Sequence, residues 1–136
     1  MSIKVILADD RTIIRKKLAL LIDAEGDMEV VGEAEDGLTA VSRAKEMLPD
    51  VVIIDINMPG LNGLEATLRI VADLPAVKVL AVSMSSEKQL VTAMLRAGAF
   101  GYVLKEHADH ELATAIRQAV AGRKYLSPGL KMASPS

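Results

Sequence analysis

Apolar residues along this chain follow two alternating rhythms. Short apolar runs such as Val5-Ile6-Leu7-Ala8, Val51-Val52-Ile53-Ile54 and Val77 to Val82, the last broken only by Lys78, have the length of a strand and stop at polar or turn residues. Runs of this kind belong to strands buried on both faces of a parallel sheet. Between them the spacing changes to helical: Ile14, Leu18, Leu21 and Ile22 form one face ending near Gly26, and Ala40, Val41, Ala44, Met47 and Leu48 form another stopped by Pro49. Met28 to Gly32 reads as a second strand, Asp36-Gly37 as a turn, Leu64 to Ala72 as a third helix, and Glu87 to Ala97 as a fourth helix stopped by Gly98. Phe100 to Leu104 is a short fifth strand. The last helix is expected over 109–121, with Asp109 as its N-cap and Leu112, Ile116, Ala119 and Val120 on its buried face.

Strict alternation of strands and amphipathic helices predicts an α/β fold, a parallel sheet with helices on both faces. Five β-α units suit a flavodoxin-like (βα)5 three-layer sandwich of five strands in the order 2-1-3-4-5 better than an eight-stranded barrel. Residues 1–122 then form one domain. The remainder, 123–136, is rich in Gly, Ser and Pro, shows no further periodic apolar face and reads as a linker start or tail.

Composition narrows function by exclusion. The 136 residues carry 51% hydrophobic and 25% charged positions, a globular balance, and a net charge of −2, so no global basic field draws the chain to nucleic acid or anionic lipid. Phe100, Tyr102 and Tyr125 are too few aromatics for a base-stacking platform. The absence of cysteine excludes disulfides and thiolate metal sites. No apolar run is long enough to span a bilayer, and charges at Asp9, Asp10, Arg15, Lys16 and Lys17 break any signal-peptide core, which gives the expectation of a cytoplasmic protein.

The chemistry gathers at strand ends. Asp55 closes the central apolar run, and Asp9-Asp10 close the first. In the expected order strands 1 and 3 are neighbours, so the three carboxylates project from one carboxyl edge, where open α/β sheets bind ligands. Such a cluster repels itself without a cation, and hard oxygen ligands with no His or Cys favour Mg²⁺.

Asp9-Asp10, Asp55, Met58-Pro59-Gly60 with Asn62-Gly63, Ser83 and Lys105 together resemble the response-regulator receiver domain over residues 3 to about 121. The wording of NMPGLNGLEA, GAFGYVLKE and GRKYLSP is similar to the NarL/FixJ subfamily, whose members carry a DNA-binding output domain beyond this point. The resemblance implies that Asp55 is the phosphoacceptor, taking a phosphoryl group from a histidine kinase or phosphotransfer protein in an Mg²⁺-dependent reaction. It implies that Asp10 and Asp55 bind the metal through carboxylates, Asn57 through its backbone carbonyl, and Asp9 mostly through water. Ser83 and Lys105 would contact the phosphoryl oxygens, and Ser83 with Tyr102 would form the switch. Two departures from the family stand out: Met84 follows Ser83 where a small residue is common, and Glu106 replaces a common proline, so Lys105-Glu106 is expected trans. Arg11 is expected to face solvent.

The leading function is therefore a two-component phosphorylation switch, acting chemically on itself, rather than an enzyme. Output would be transcriptional control through a DNA-binding domain absent from this chain, and the alternative is a stand-alone receiver working by protein contact. An aspartyl phosphohydrolase of the haloacid-dehalogenase type would need a second Asp at position 57, where Asn57 stands. A flavin or nucleotide binder would need a phosphate cradle where Asp9-Asp10-Arg11 stands. Val91 and Leu95 are expected to lie beside the sheet-facing Leu90, Ala93, Met94 and Ala97, marking a surface of the fourth helix, fifth strand and fifth helix for homodimer or output contact. The chain alone is expected not to bind DNA, since Arg123, Lys124 and Lys131 are scattered through the tail.

Overall fold

Six parallel strands stack in the order β2-β1-β3-β4-β5-β6, and the four inner ones are apolar enough to be largely buried on both faces. The computed structural model describes residues 2–130. In chain order these hold β1 (Ile3–Ala8), α1 (Thr12–Asp23), β2 (Met28–Ala34), α2 (Gly37–Met47), β3 (Val51–Asp55), α3 (Gly63–Asp73), β4 (Lys78–Ser83), α4 (Lys88–Arg96), β5 (Gly101–Leu104), α5 (Ala108–Val120) and β6 (Tyr125–Leu126). A single 3-10 turn, Lys105–His107, joins β5 to α5.

The sheet divides the core into two layers because successive strand side chains point to opposite faces. Ile6, Ala8, Val52, Ile54, Val79 and Ala81 pack against α2, α3 and α4 through Ala40, Ala44, Ala66, Ile70 and Met94. Val5, Leu7, Val51, Ile53, Leu80 and Val82 pack against α1 and α5 through Leu18, Ile22, Leu112 and Ile116. Side chains close the starts of α2 and α3: Asp36 accepts from Thr39 N at 2.7 Å and Asn62 from Glu65 N at 2.9 Å. Each such cap stabilises its helix by about 1 kcal/mol. Both caps also end the loops that flank the carboxyl edge of β3.

Several expectations need correction. Val91 is fully inside, packed with Met94 in the α4 layer, while Leu90, Ala93 and Leu95 are only partly covered. The buried stripe of this short helix is thus rotated from the one its sequence pattern suggests. The buried face of α5 runs through Ala115 rather than Val120, which is exposed, and its N-cap position is His107, leaving Asp109 in the first turn. Phe100 precedes β5, so strand alternation does not reach it: Phe100 packs on the α1–α5 layer and Tyr102 on the other.

The sheet also has one strand more than expected. Residues 125–126, placed in a tail, pair with β5 in parallel at Gly101↔Tyr125 and Tyr102↔Leu126. Tyr125 packs on the α1–α5 layer, whereas Leu126 and Leu130 pack on the other, so this segment grips both faces. Two residues are too few to register as a period, which is why the sequence pattern concealed them. Residues 131–136 of the expected tail, including Lys131, lie outside the described residues.

Candidate functional site

Strand register brings the chemical residues together. Ala8 is level with Ile54, so Asp9, the next residue, emerges level with Asp55; Ser83 and Leu104 end β4 and β5 side by side, one step higher. Asp9, Asp10 and Asp55 each offer a carboxylate oxygen within 4.8 Å of the others. Lys105 follows β5 directly and reaches back across the edge. Its ammonium lies 2.8 Å from Asp9 Oδ2 and 3.4 Å from Asp55 Oδ1.

These groups differ in how their charges are satisfied. Asp9, Asp55 and Lys105 are buried, whereas Asp10 is exposed. Both oxygens of Asp9 are engaged, Oδ2 by Lys105 and Oδ1 by the Arg11 backbone N–H at 2.9 Å. Asp55 has one oxygen near Lys105 and the other, Oδ2, buried without a hydrogen-bond partner. Burial pushes the Asp55 carboxyl above its ordinary value; Lys105 opposes that rise and the negative charge of Asp9 adds to it. A buried acceptor left unpaired is costly, and Asp55 Oδ2 has the bonding capacity to take a cation. An all-oxygen set of three carboxylates is what Mg²⁺ takes, and the residues present fit that ion.

Ser83 is buried at the end of β4, where its Oγ accepts from Ser85 N at 3.1 Å. Tyr102 is fully enclosed, and its hydroxyl donates to the Ser85 carbonyl at 2.6 Å. Burial pushes the Tyr102 phenol up, so it stays a neutral donor. Ser85 links Ser83 and Tyr102, and the Ser83 side chain also acts directly on the phenol, opposing the rise that burial causes. Met84, between Ser83 and Ser85, is 66% exposed. Asn57 is also exposed. Arg11 is exposed as expected, and the Lys105-Glu106 bond is trans, like every other peptide bond among the described residues.

Three residues support this site in ways that sequence reading did not assign to them. Arg15 of α1 donates to the Asp9 carbonyl at 2.6 Å and pairs with Glu33 of β2 at 2.9 Å, fixing the turn that carries the acid pair. Gly37 faces the loop after Asp55 so closely that a Cβ there would lie 1.9 Å from the Leu61 carbonyl oxygen. A Cβ on Gly63 would lie 2.3 Å from the Asp55 carbonyl oxygen, and Gly63 N donates to Ile56 O at 2.9 Å. Asp36-Gly37 carried a turn signal, but nothing local in the sequence showed which backbone the glycine faces.

A buried lysine between two carboxylates at the carboxyl edge of a doubly wound sheet defines the class, and the comparisons name it. The family model described as "Response regulator receiver domain" matches residues 5–117, and the chain belongs to this family. It is 41% identical over 127 residues to the response regulator GacA of Pseudomonas aeruginosa, covering 93% of this chain and 59% of that protein. It is 37% identical over 126 residues to the oxygen regulatory protein NreC of Staphylococcus carnosus, covering 92% and 58%. Among solved structures, a two-component response regulator of the LuxR family from Aurantimonas superposes with a TM-score of 0.91 at 34% identity, over 96% of this chain and 93% of that one. The relationship to transcriptional response regulators of the NarL/FixJ type is thereby shown, as is the receiver fold. The chain spans about three fifths of the length of the curated relatives it matches. No helix of the described residues is long and apolar enough to cross a membrane.

Proposed function

We propose that Asp55 is the phosphoacceptor of this receiver and that its phosphorylation is the switch that the chain contributes to a two-component pathway. The observation that carries this reading is Asp55 Oδ2, a buried carboxylate oxygen without a partner beside a buried ammonium. The carboxylate attacks the phosphorus of a phosphohistidine on a histidine kinase or phosphotransfer protein: an O–P bond forms, the N–P bond breaks, and the imidazole leaves with the electron pair. Asp10, Asp55 and the Asn57 backbone carbonyl would hold Mg²⁺, which when bound supplies charge neutralisation for the incoming anion. Asp9 acts on that ion through water, consistent with both of its oxygens being engaged already. Lys105 exchanges its carboxylate contacts for a phosphoryl oxygen, and the Ser83 hydroxyl donates to another.

Serving as switch residues, Ser83 and Tyr102 transmit the change through the Ser85 carbonyl to α4. The surface that responds is α4, β5 and α5, as the sequence suggested, with the free edge of β5 lined by β6. Homodimer or output contacts on this surface therefore include Tyr125 and Leu126. Transcriptional control would run through a DNA-binding region other than the described residues, whose five α-helices all pack on the sheet and leave none standing free to enter a DNA groove. The chemistry is self-modification in the cytoplasm, not turnover of a separate substrate.

Incubation with acetyl phosphate, with and without Mg²⁺, followed by intact-mass measurement tests the assignment. One phosphoryl group is expected, only with Mg²⁺, and none on Asp55→Asn. A gain that persists in Asp55→Asn overturns it.

A further inference from the structure

Ser127 is the most deeply buried residue of the segment after α5, at 1% exposure, and it is a hydroxyl at the rim of an apolar interface. Its backbone N–H donates to the Tyr102 carbonyl at 3.0 Å, its Oγ accepts from Leu104 N at 2.9 Å, and its own O–H donates to Glu111 Oε1 in the first turn of α5. Leu104 N is the final donor of β5 before the chain turns into Lys105. Backbone pairing stops there because the chain folds away after Ser127, whose carbonyl accepts from Leu130 N at 3.1 Å in a turn through Pro128 and is not left for Leu104 N. A side chain therefore completes what the ladder cannot. Glu111, in turn, lies 3.6 Å from His107 at the other end of the Lys105–His107 turn. One hydroxyl thus ties together the end of β5, the start of α5 and the segment that follows α5, encircling the turn that carries Lys105.

The docking of that segment is built into β5 itself. Gly101 has no Cβ, and one placed there would lie 2.5 Å from the Tyr125 carbonyl oxygen. Tyr125 N donates to Phe100 O at 3.0 Å on the same edge. The strand that carries Tyr102 and leads to Lys105 thus has its outer edge shaped for β6.

We propose that Ser127 is a positioning residue for Lys105, so that docking of residues 125–130 and occupation of the phosphoacceptor site by a phosphoryl-like ligand favour one another. The proposal rests on the receiver reading of Asp55 and Lys105. Coupling between two sites is reciprocal: if the docked segment holds Lys105 where it meets a phosphoryl oxygen, then the ligand must tighten the docked segment by the same factor.

The test uses the chain of residues 1–136, with beryllium fluoride plus Mg²⁺ as the phosphoryl mimic and amide exchange read by NMR. In the unsubstituted protein, beryllium fluoride should slow exchange at the Ser127 amide at least threefold. Ser127→Ala should speed exchange at Leu104 tenfold or more and weaken beryllium fluoride binding at least threefold, with Mg²⁺ affinity unchanged within twofold. Ser127→Thr keeps the hydroxyl and should restore both readouts, whereas a merely structural loss of packing would not follow the hydroxyl. Gly101→Ala should undock β6 with Ser127 intact and weaken beryllium fluoride binding in the same direction; Lys124→Ala, at an exposed position, should do neither. If Ser127→Ala frees the Leu104 amide while beryllium fluoride binds as before, the coupling is overturned. Failure of the unsubstituted protein to bind beryllium fluoride or accept phosphate defeats the reading of Asp55 instead. In that event the Lys105 ammonium signal of the Mg²⁺-free protein still decides whether Ser127 positions this side chain: it must shift in Ser127→Ala and return in Ser127→Thr, and no shift overturns the role.

Discussion

The two loops that face each other across the site are held by different forces. After β3, the loop from Ile56 to Asn62 is pinned by backbone against backbone: Gly37 and Gly63 lie too close to the Leu61 and Asp55 carbonyls for any side chain, and Asn62 caps α3. After β4, the loop from Ser83 to Glu87 is held by hydroxyls, Ser83 Oγ to Ser85 N, Ser85 Oγ to Glu87 N and Tyr102 OH to Ser85 O. The helix it leads into, α4, has no side-chain cap and buries only Val91 and Met94 of its nine residues. Steric contacts between main chains leave a loop one position, whereas single hydrogen bonds can be exchanged for others at nearly equal free energy. A phosphoacceptor needs the first property and a responding element needs the second.

The largest expected effects come from breaking the pinned loop. Gly37→Ala places a Cβ against a carbonyl oxygen that has no flexible side chain to yield, so overpacking should cost about 3 kcal/mol, at the upper end of the usual range. Gly63→Ala should behave similarly. Urea denaturation measures the loss, and beryllium fluoride binding to the surviving folded fraction should fall as Asp55 is displaced. A cost under about 0.5 kcal/mol would mean that this loop yields as easily as its neighbour.

Lys105→Met comes next, because it leaves Asp9 and Asp55 buried together without their cation. Removing one partner of a buried pair costs about 3 kcal/mol. The loss should be measured at neutral pH with a chelator present, and it should shrink as acid protonates Asp55, whose carboxyl burial holds above its ordinary value. Asp55→Asn gives the opposite sign. Burial raises the folded-state pKa of Asp55 above 3.8, so its ionisation penalises the folded state increasingly as pH rises through 3.8 and up to the raised value. Below 3.8 both states are protonated and the penalty vanishes. In the absence of Mg²⁺, Asp55→Asn should therefore be more stable than the parent at pH 7, with the difference disappearing toward pH 3; equal stability at pH 7 would mean the carboxylate is already satisfied.

What the sequence disclosed about these loops follows from what is local. Asp55, Asp9 and Lys105 each sit at the end of an apolar run, and a parallel register carries strand ends to one edge, so their meeting could be read before any coordinates. The α4 stripe could not: Val91 rather than Leu90 turns inward because the direction of a short helix is set by the loop leading into it and by Tyr102 beneath, neither of which has a period. Gly37, Arg15 and Ser127 escaped for a related reason. Each acts on a backbone atom, Leu61 O, Asp9 O and Leu104 N, and main-chain atoms leave no trace in residue type.

The smallest expected effects belong to the exchangeable loop, and they sharpen the comparison most. Tyr102→Phe removes one O–H and keeps the ring, so the Ser85 carbonyl loses a 2.6 Å hydrogen bond while the packing on Met94 and the α4 layer remains. The cost should be about 1 kcal/mol. Ser85→Ala removes a different bond, the 3.2 Å one to Glu87 N at the start of α4, and should cost about 0.5 kcal/mol because that amide is exposed to water. Neither change touches Asp55, so Mg²⁺ affinity should stay put while amide exchange speeds up from Met84 through Leu90. The two costs should couple rather than add, since Tyr102 bonds Ser85 directly and both bonds hold the same loop. Amide exchange that speeds up at Ile56 to Asn62 as well would show the two loops to be one cooperative unit, and the proposed division between a pinned nucleophile and a yielding reporter would fall.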